Sequence, residues 1–506
     1  MVAVTGQEMK EIDRFTIEEI GICSIVLMEN AANAFMNELM KEPNIKNSYV
    51  VVFCGLGNNG GDGFAIARLL KLKNIDVQVV ILGSPDEIKG DAKVNYNVLL
   101  QLDIPIRLIL SELDLKHLIE SVPKHAVFVD AIFGFGCNKN IDGLYALTIL
   151  AINGLENKTF SVDLPSGVNA NNGKIMGVAI EAYKTITFCL PKVGLLLYPG
   201  AAYTGDVVVV DIGVPEKAWM DKPYQHEIIE SSFSQLLPKR RVISHKGTYG
   251  KALIIAGSKS MMGAAILCAR SAYQVGCGIV KIIAEKGHED ALFASIPEAI
   301  VEGYHRNENF NEDLERMNEA IKWADAILIG PGMTEDEYTK KLLEMVLKNE
   351  DKKIIIDADG LNVLSKNMDL LNQWNHNIII TPHIGEMARL TAHNTNEIIG
   401  NTVEFSLAFS RENKIITVLK SERTIIAHED GVFINSLGNN GMATAGSGDV
   451  LAGIIVGLLA QDEKALKAAT LGVYIHSKAG DIAKEQYGEH SLMASNIIDA
   501  ISTVMR

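Results

Sequence analysis

Short apolar runs alternate with longer segments of helical apolar spacing along most of this 506-residue chain, as expected of buried parallel strands joined by helices. In the first half the pattern predicts two opening helices, over 6–20 and 25–41, then strands at 49–54, 77–82, 126–130, 159–163, 185–189 and 207–211. Between 211 and 241 the periodicity lapses: Pro215, Pro223 and Pro238 interrupt a polar stretch that closes on Pro238-Lys239-Arg240-Arg241. A linker is expected there. The pattern restarts at 251–257 and continues with an Ala-rich helix from about Met262 and strands at 279–284, 326–329, 353–357, 377–380, 415–419 and 424–427. The expectation is an α/β chain of two domains, 1–220 and 236–506, joined by a linker over 221–235, with an open parallel sheet in each.

Composition narrows the function classes. Hydrophobic residues at 48% and charged residues at 22% describe an ordinary globular protein with enough apolar material for large cores. A formal charge of −15 disfavours a broad nucleic-acid or anionic-membrane surface, which needs clustered Lys and Arg. The six cysteines, at 23, 54, 137, 189, 268 and 277, form no C-x-x-C pair, so buried free thiols and a reducing, cytoplasmic setting are expected. The apolar run from Ile22 to Met28 is too short for a signal peptide or a membrane span.

Two glycine-rich loops sit in different halves. Gly55-Leu56-Gly57-Asn58-Asn59-Gly60-Gly61-Asp62-Gly63 follows the strand at 49–54 and opens a helix, where unpaired N–H groups can take a nucleotide phosphate. Asp130 and Asp163 close two further strands and are followed by Gly134-Phe135-Gly136-Cys137-Asn138 and by Ser166-Gly167; such oxygen-rich turns suit a hard cation or a hydroxylated ligand. A simple dehydrogenase fits poorly, because the turn is not a plain G-x-G-x-x-G and no ribose-binding acid follows the second strand. In the second half, Gly330-Pro331-Gly332, Asp357-Ala358-Asp359-Gly360, Thr381-Pro382-His383 and Ala445-Gly446-Ser447-Gly448-Asp449 all follow apolar runs, so they are expected on one rim. No G-x-x-x-x-G-K-[ST] is present, which excludes a P-loop. Asp449, beside the amides of Gly446, Ser447 and Gly448, is placed to deprotonate a hydroxyl that attacks a terminal phosphate; the alternative is a plain helix cap. His383 alone reads as a structural histidine donating to a backbone carbonyl.

Taken in order, these motifs resemble the bifunctional NAD(P)H-hydrate repair enzymes, an N-terminal hydrate epimerase fused to a C-terminal ADP-dependent dehydratase. The resemblance covers nearly the whole chain and implies a Rossmann-like first domain and a ribokinase-like second one. It implies hydrate binding at Asn58, Asn59, Gly60, Gly61 and Asp62, at Gly134, Phe135, Gly136, Cys137, Asn138, Lys139 and Asn140, and at Asp163, which becomes the acid/base residue. A potassium ion is implied on Asn59, Asp130 and Ser166. For the dehydratase it implies hydrate contacts at Ala264, Gly332, His383 and Asp449, with Asp449 as catalytic base. ADP, with magnesium, is implied on Lys420, Ser421, Glu422, Arg423 and Thr424, and on Asn439, Asn440, Gly441, Met442, Ala443, Thr444, Ala445, Gly446, Ser447 and Gly448.

The implied reaction is epimerisation of the R and S hydrates of NADH or NADPH and dehydration of the S form, with ADP giving AMP and phosphate. The partners are then small molecules, with no nucleic acid or membrane, and a homo-oligomer is compatible. Ser421 and Ala445 stand where the family often has glycine. A different class, a ribokinase-like small-molecule kinase with an N-terminal nucleotide-binding regulatory module, shares the second-half motifs but gives the first-half ones no catalytic part.

Overall fold

A computed structural model describes residues 1–220, 222, 224–307, 310–373 and 377–506. The chain divides into two compact units, Val2–His226 and, apart from Met1, Glu227–Arg506.

In the first unit seven strands form one sheet, in spatial order Ile106–Ile109, Asp76–Leu82, Tyr49–Cys54, Val127–Ala131, Thr159–Val162, Lys184–Phe188 and Asp206–Val210. Every pairing is parallel, so the interior strands are covered on both faces and read as continuous apolar runs. The order reverses between Tyr49–Cys54 and Val127–Ala131, where open α/β sheets place ligands beyond the strands' carboxyl ends. The opening helix ends earlier than its periodicity predicts: α-helical turns cover Gly6–Phe15 and a π-helical turn covers Thr16–Ile20. Such turns are rare and concentrate at functional sites.

The second unit's sheet runs Gly431–Asn435, Ile425–His428, Ile416–Leu419, Ile378–Ile380, Lys353–Ile356, Ala326–Ile329, Lys251–Ile255, Ile279–Glu285 and Ile300–Tyr304. It is not wholly parallel, contrary to the sequence reading. Ile416–Leu419, Ile425–His428 and Gly431–Asn435 pair antiparallel, because the connections between them are too short for a crossover helix. Ser447–Ala460 is apolar all round and buried along nearly its full length, packed with Met262–Gln274, Ala465–Tyr487 and Ala494–Val504 into one core.

The unit boundary falls between residues 226 and 227. The segment expected as a linker is not featureless, since it contains a strand, His226–Ile229, and a 3-10 helix, Ser231–Leu236; Pro223 lies outside the described residues. All six cysteines are free, but only Cys54, Cys268 and Cys277 are buried, and Cys23 is exposed. Among the described residues no helix is long and apolar enough to cross a membrane.

Candidate functional site

The first unit encloses a cavity of about 1270 Å³ at the carboxyl ends of its strands. The glycine-rich loop leads from Tyr49–Cys54 into helix Asn58–Leu72. A side chain at Gly60 would place its Cβ 2.0 Å from the Gly55 carbonyl oxygen, so only glycine lets the helix start close onto the loop. Asn58, Asn59 and Asp62 line the cavity, as does the whole run Gly134, Phe135, Gly136, Cys137, Asn138, Lys139 and Asn140. Gly60 and Gly61 are buried and do not line it; they serve the turn.

Asp163 stands at the cavity wall with φ +67°, and Leu164 N donates to the Val162 carbonyl 2.9 Å away. The neighbouring strand ends in the same tight turn at Cys189, φ +63°, with Leu190 N donating to the Phe188 carbonyl at 2.8 Å. Positive-φ γ-turns at non-glycine residues are strained and collect at functional sites. Here the paired kinks aim Asp163 across the strand ends. Its Oδ1 accepts from Thr187 Oγ1 at 3.0 Å, Phe188 N at 3.1 Å and Lys192 Nζ at 2.5 Å. Lys192 gives its two other protons to Thr187 Oγ1 and the Phe188 carbonyl. This ion pair is almost dry, at 1% and 6% side-chain exposure, so each charge depends on the other. The Asp163 Oδ2 has no donor among the described residues.

Glu11, Asp13, Glu18, Asp62, Asp91 and Asp142 also line the cavity, and two of them, Asp62 and Asp13, are shifted in part by the charge of Asp163. Burial pushes Asp62 well above the usual carboxylate range, with Asp163 and Asp13 adding to it. Burial also pushes Asp13 up to about 6, against the pull of Lys192 and with the push of Asp163. Sequence reading missed Lys192 and Asp13. Neither belongs to a spaced motif, and the only signal for Lys192 was its place in Leu190-Pro191-Lys192 just beyond a strand.

Asp130 and Ser166 do not line the cavity but meet beneath its loop. Ser166 Oγ donates to Asp130 Oδ1 at 2.5 Å and Ser166 N to Oδ2 at 2.8 Å, while Ser161 Oγ and Ile132 N also donate to the carboxylate. Ser166 Oγ also accepts from Phe133 N at 2.9 Å, which ties the pair to the 134–140 loop. Asn59 stands over that loop, its Oδ1 3.3 Å from where a Cβ on Gly134 would be, and its Nδ2 is buried without a partner.

In the second unit, parallel neighbours put four strand ends on one rim: Gly330-Pro331-Gly332, Asp357, Thr381-Pro382-His383 and Lys420. Ala264, on helix Met262–Gln274, meets Gly332, where a Cβ would lie 3.1 Å from the Ala264 Cβ. His383 does not donate to a carbonyl as expected. Its Nδ1 accepts from Gly385 N at 2.9 Å and Glu386 N at 3.3 Å, capping helix Ile384–Thr391, and its ring is half-exposed. Burial, then Lys420, lower its pKa, so the ring is neutral at neutral pH.

Asp449 lies in the first turn of Ser447–Ala460, after Gly446 at φ +87°. Among the described residues its carboxyl makes no hydrogen bond, so it does not cap the helix. Burial, then the negative charge of Asp357, push its carboxyl up to about 7 although Lys420 pulls the other way. That is the range a general base needs. Ser447 Oγ lies 3.2 Å from His476 Nε2, and burial lowers the His476 pKa to about 4, so a neutral imidazole steadies the helix start. His476, which sequence reading also missed, sits on Ala465–Tyr487 with Asp481, whose carboxylate accepts from Gly438 N at 3.1 Å and Asn439 Nδ2 at 3.0 Å.

The other expected nucleotide residues divide. Lys420 is on the rim, and its Nζ is 3.3 Å from where a Cβ on Gly448 would be. Ser421, Glu422, Arg423 and Thr424 form the turn into Ile425–His428; Ser421 Oγ donates to the Arg423 carbonyl at 2.6 Å, and Arg423 Nη1 to the Ser436 carbonyl at 2.7 Å. Asn439 Oδ1 accepts from Gly441 N at 3.0 Å, and Asn440–Met442 is a 3-10 turn. Ala443 and Ala445 are exposed, and Thr444 accepts from Ser447 N at 3.3 Å. Of the loop's N–H groups, those of Ala445, Gly446 and Gly448 have no acceptor among the described residues, an arrangement that can hold phosphate beside a base.

Two family models match the chain: NAD(P)H-hydrate dehydratase over residues 252–503 and YjeF-related protein N-terminus over residues 24–194. The chain is 37% identical to the bifunctional NAD(P)H-hydrate repair enzyme of Moorella thermoacetica, covering 100% of this chain and 97% of that one. It is 36% identical to the enzyme of the same name from Thermofilum pendens, covering 99% and 95%. Among solved structures, a ribokinase-like superfamily protein from Enterococcus faecalis matches at a TM-score of 0.50 and 29% identity, over 55% of this chain and 95% of that one.

Proposed function

The chain belongs to the bifunctional NAD(P)H-hydrate repair enzymes, and from that premise we propose how its two sites divide the work. The protein epimerises the R and S hydrates of NADH and NADPH and dehydrates the S form with ADP, giving AMP and phosphate. The first unit, built on Val2–His226, is assigned the epimerase and the second the dehydratase. One observation carries this reading. Each unit has its own carboxyl group set for proton transfer beside its own anion-type loop: Asp163, paired with buried Lys192, and Asp449, held near 7 next to Lys420.

In the dehydratase, ionised Asp449 takes the proton of the C6 hydroxyl as its oxygen attacks the terminal phosphate of ADP. The amides of Gly446 and Gly448 and the Lys420 ammonium would hold the phosphates, and magnesium would arrive with them. Phosphorylation makes the hydroxyl a good leaving group; the C6–O bond breaks as phosphate leaves, a proton departs from C5 to solvent, and the C5–C6 double bond of the dihydronicotinamide is restored. His383, Gly332 and Ala264 are proposed to face the hydrate. Arg423 acts by holding its turn to the Ser436 carbonyl.

A potassium ion fits the first unit. Asp130 is wholly buried, and among the described residues no Lys or Arg bonds to it; all its donors are neutral. A buried carboxylate of that kind calls for a cation. Asp130, Ser166 and Asn59, whose amide turned by half a revolution would present its oxygen at the unpartnered position, would hold it. The ion would stiffen the 134–140 loop through Phe133. The free thiols suit a cytoplasmic setting.

Separate assays of the pure R and S hydrates, with and without ADP, test the reading: the R form should become S without nucleotide, and NADH should form only with ADP, at once from S and from R only after its epimerisation, with one AMP formed per NADH. Phosphorylation of a stable alcohol in place of NADH formation would favour the kinase alternative.

A further inference from the structure

Inverting a hydroxyl-bearing carbon needs a proton donor for the oxygen that leaves and an acceptor for the one that arrives. Asp163 supplies one of these. Of the other carboxyl groups that line the cavity, Asp13 and Asp62 feel the charges of Asp163 and Lys192. Asp13 lies on the face of helix Gly6–Phe15 that also brings Lys10, Arg14 and, in the π-helical turn, Ile17 to the cavity. Its carboxyl makes no hydrogen bond or ion pair among the described residues.

The helix is fixed to the Asp163 side of the cavity. Val4 N donates to the Pro191 carbonyl and Val193 N to the Val4 carbonyl, both at 2.9 Å, so the chain just before the helix brackets Lys192. Gly6 N donates to Asn171 Oδ1 at 2.8 Å, and Thr5 and Glu8 form a reciprocal cap. Asp13 feels the charges of both Lys192 and Asp163. Three carboxyl groups, Asp13, Asp62 and Asp163, therefore share one ammonium. All three protons of that ammonium are spent on Asp163, Thr187 and Phe188. Lys192 is thus committed to Asp163, and Asp13, without a hydrogen-bonded partner and pushed up to about 6, is placed to hold and donate a proton.

We propose that Asp13 is the general-acid partner of Asp163, so that epimerisation runs on two carboxyl groups carried by different elements of one cavity. The inference rests on the epimerase reading of that cavity. Asp13 gives its proton to the C6 hydroxyl; the C6–O bond breaks, water leaves, and the N1 lone pair forms the N1–C6 double bond. Water then adds to the opposite face, the new C6–O bond forms as the double bond's electrons return to N1, and the Asp163 Oδ2 takes the proton released. Solvent exchange returns the proton to Asp13. Asp62 is less suited, because burial pushes it well above the usual carboxylate range and so makes it the more reluctant proton donor, whereas Asp13 is pushed only to about 6 and can lose and regain a proton near neutrality.

The test uses the full chain with Asp13→Asn, Asp13→Ser and Asp13→Glu, assayed on R hydrate without nucleotide and on S hydrate with ADP. Expected are a fall of about a hundred- to ten-thousand-fold in epimerisation kcat for Asn and Ser, KM within a few-fold, partial rescue by Glu, and unchanged dehydration of S hydrate. The serine variant keeps the test valid if a buried amide unfolds the first unit. Epimerisation kcat near wild type in either folded variant, or a change in KM alone, would overturn the proposal. Asp163→Asn run alongside separates the two claims: activity lost there but kept in the Asp13 variants defeats only this inference, whereas activity kept in both, or a wild type that never epimerises, defeats the epimerase reading itself.

Discussion

Lys420 Nζ lies 2.7 Å from Asp357 Oδ1, joining the ends of two strands that are separated in the sheet by Ile378–Ile380. Asp357 is 1% exposed, and burial disfavours the Lys420 charge, yet Asp357, Glu386 and Asp449 outweigh it and keep the ammonium above its ordinary range. Lys420→Met should leave Asp357 buried without a counter-charge, a loss of about 3 kcal/mol or more, together with ADP affinity. Urea unfolding of the variant, with and without ADP, measures both. Wild-type stability would mean the pair contributes nothing.

Asp449→Asn should fold, bind ADP through the loop amides and lose dehydration by about a hundredfold or more. The wild-type rate should climb with pH and level off above about 7, the value to which burial and Asp357 push this carboxyl. Stability moves the other way. Between its ordinary 3.8 and about 7 the native state holds a proton that the unfolded chain has lost, so the site's contribution declines as pH rises through that window. The asparagine variant lacks this decline. Its urea midpoint, compared with wild type below and above the window, should gain on the higher-pH side.

Asp163→Asn should abolish epimerisation and spare dehydration of pure S hydrate. Lys192→Met should do the same and also destabilise the first unit by about 3–5 kcal/mol, since it strands a carboxylate buried at 6% exposure. Equal loss of both activities in either variant would contradict the two-site assignment.

The first glycine loop, the strand ends at Asp130 and Asp163 and the rim of the second sheet were legible because parallel interior strands announce themselves as apolar runs, and sites follow their carboxyl ends. Tyr49–Cys54 and Ala326–Ile329 fall where the pattern puts them. The edge strands Ile106–Ile109 and Ile300–Tyr304 were missed: only one end residue of each is buried, so the apolar run that marks an interior strand is absent. Lys192, Asp13 and His476 were missed for a different reason. Each is a lone polar residue whose partners are set by tertiary packing, as when Lys192 finds Asp163 across two strand ends. Of the antiparallel strands past Lys420, Ile425–His428 was misread as parallel because its apolar content equals that of a parallel strand and connection length alone tells them apart, and Gly431–Asn435 was missed.

Gly446→Ala should test the phosphate loop while keeping the Asp449 carboxyl, whose Oδ2 the added Cβ would meet only at 3.9 Å. At φ +87° an added Cβ is strained and would sit 2.5 Å from Leu267 Cδ1, a cost of about 1 kcal/mol or more. The loop must then shift, so the KM for ADP should rise several-fold while epimerisation is unchanged. An unaltered KM would remove this loop from the nucleotide site.

The central claim is that one chain carries both steps. Supplying the purified full chain with an equal mixture of R and S NADH hydrate and excess ADP, and following the near-ultraviolet absorbance of the dihydronicotinamide, tests it directly. Complete conversion of both hydrates, with AMP and phosphate formed in equal amounts to NADH, is the predicted result. Conversion that stalls when the S form is exhausted, or that never begins, would contradict it.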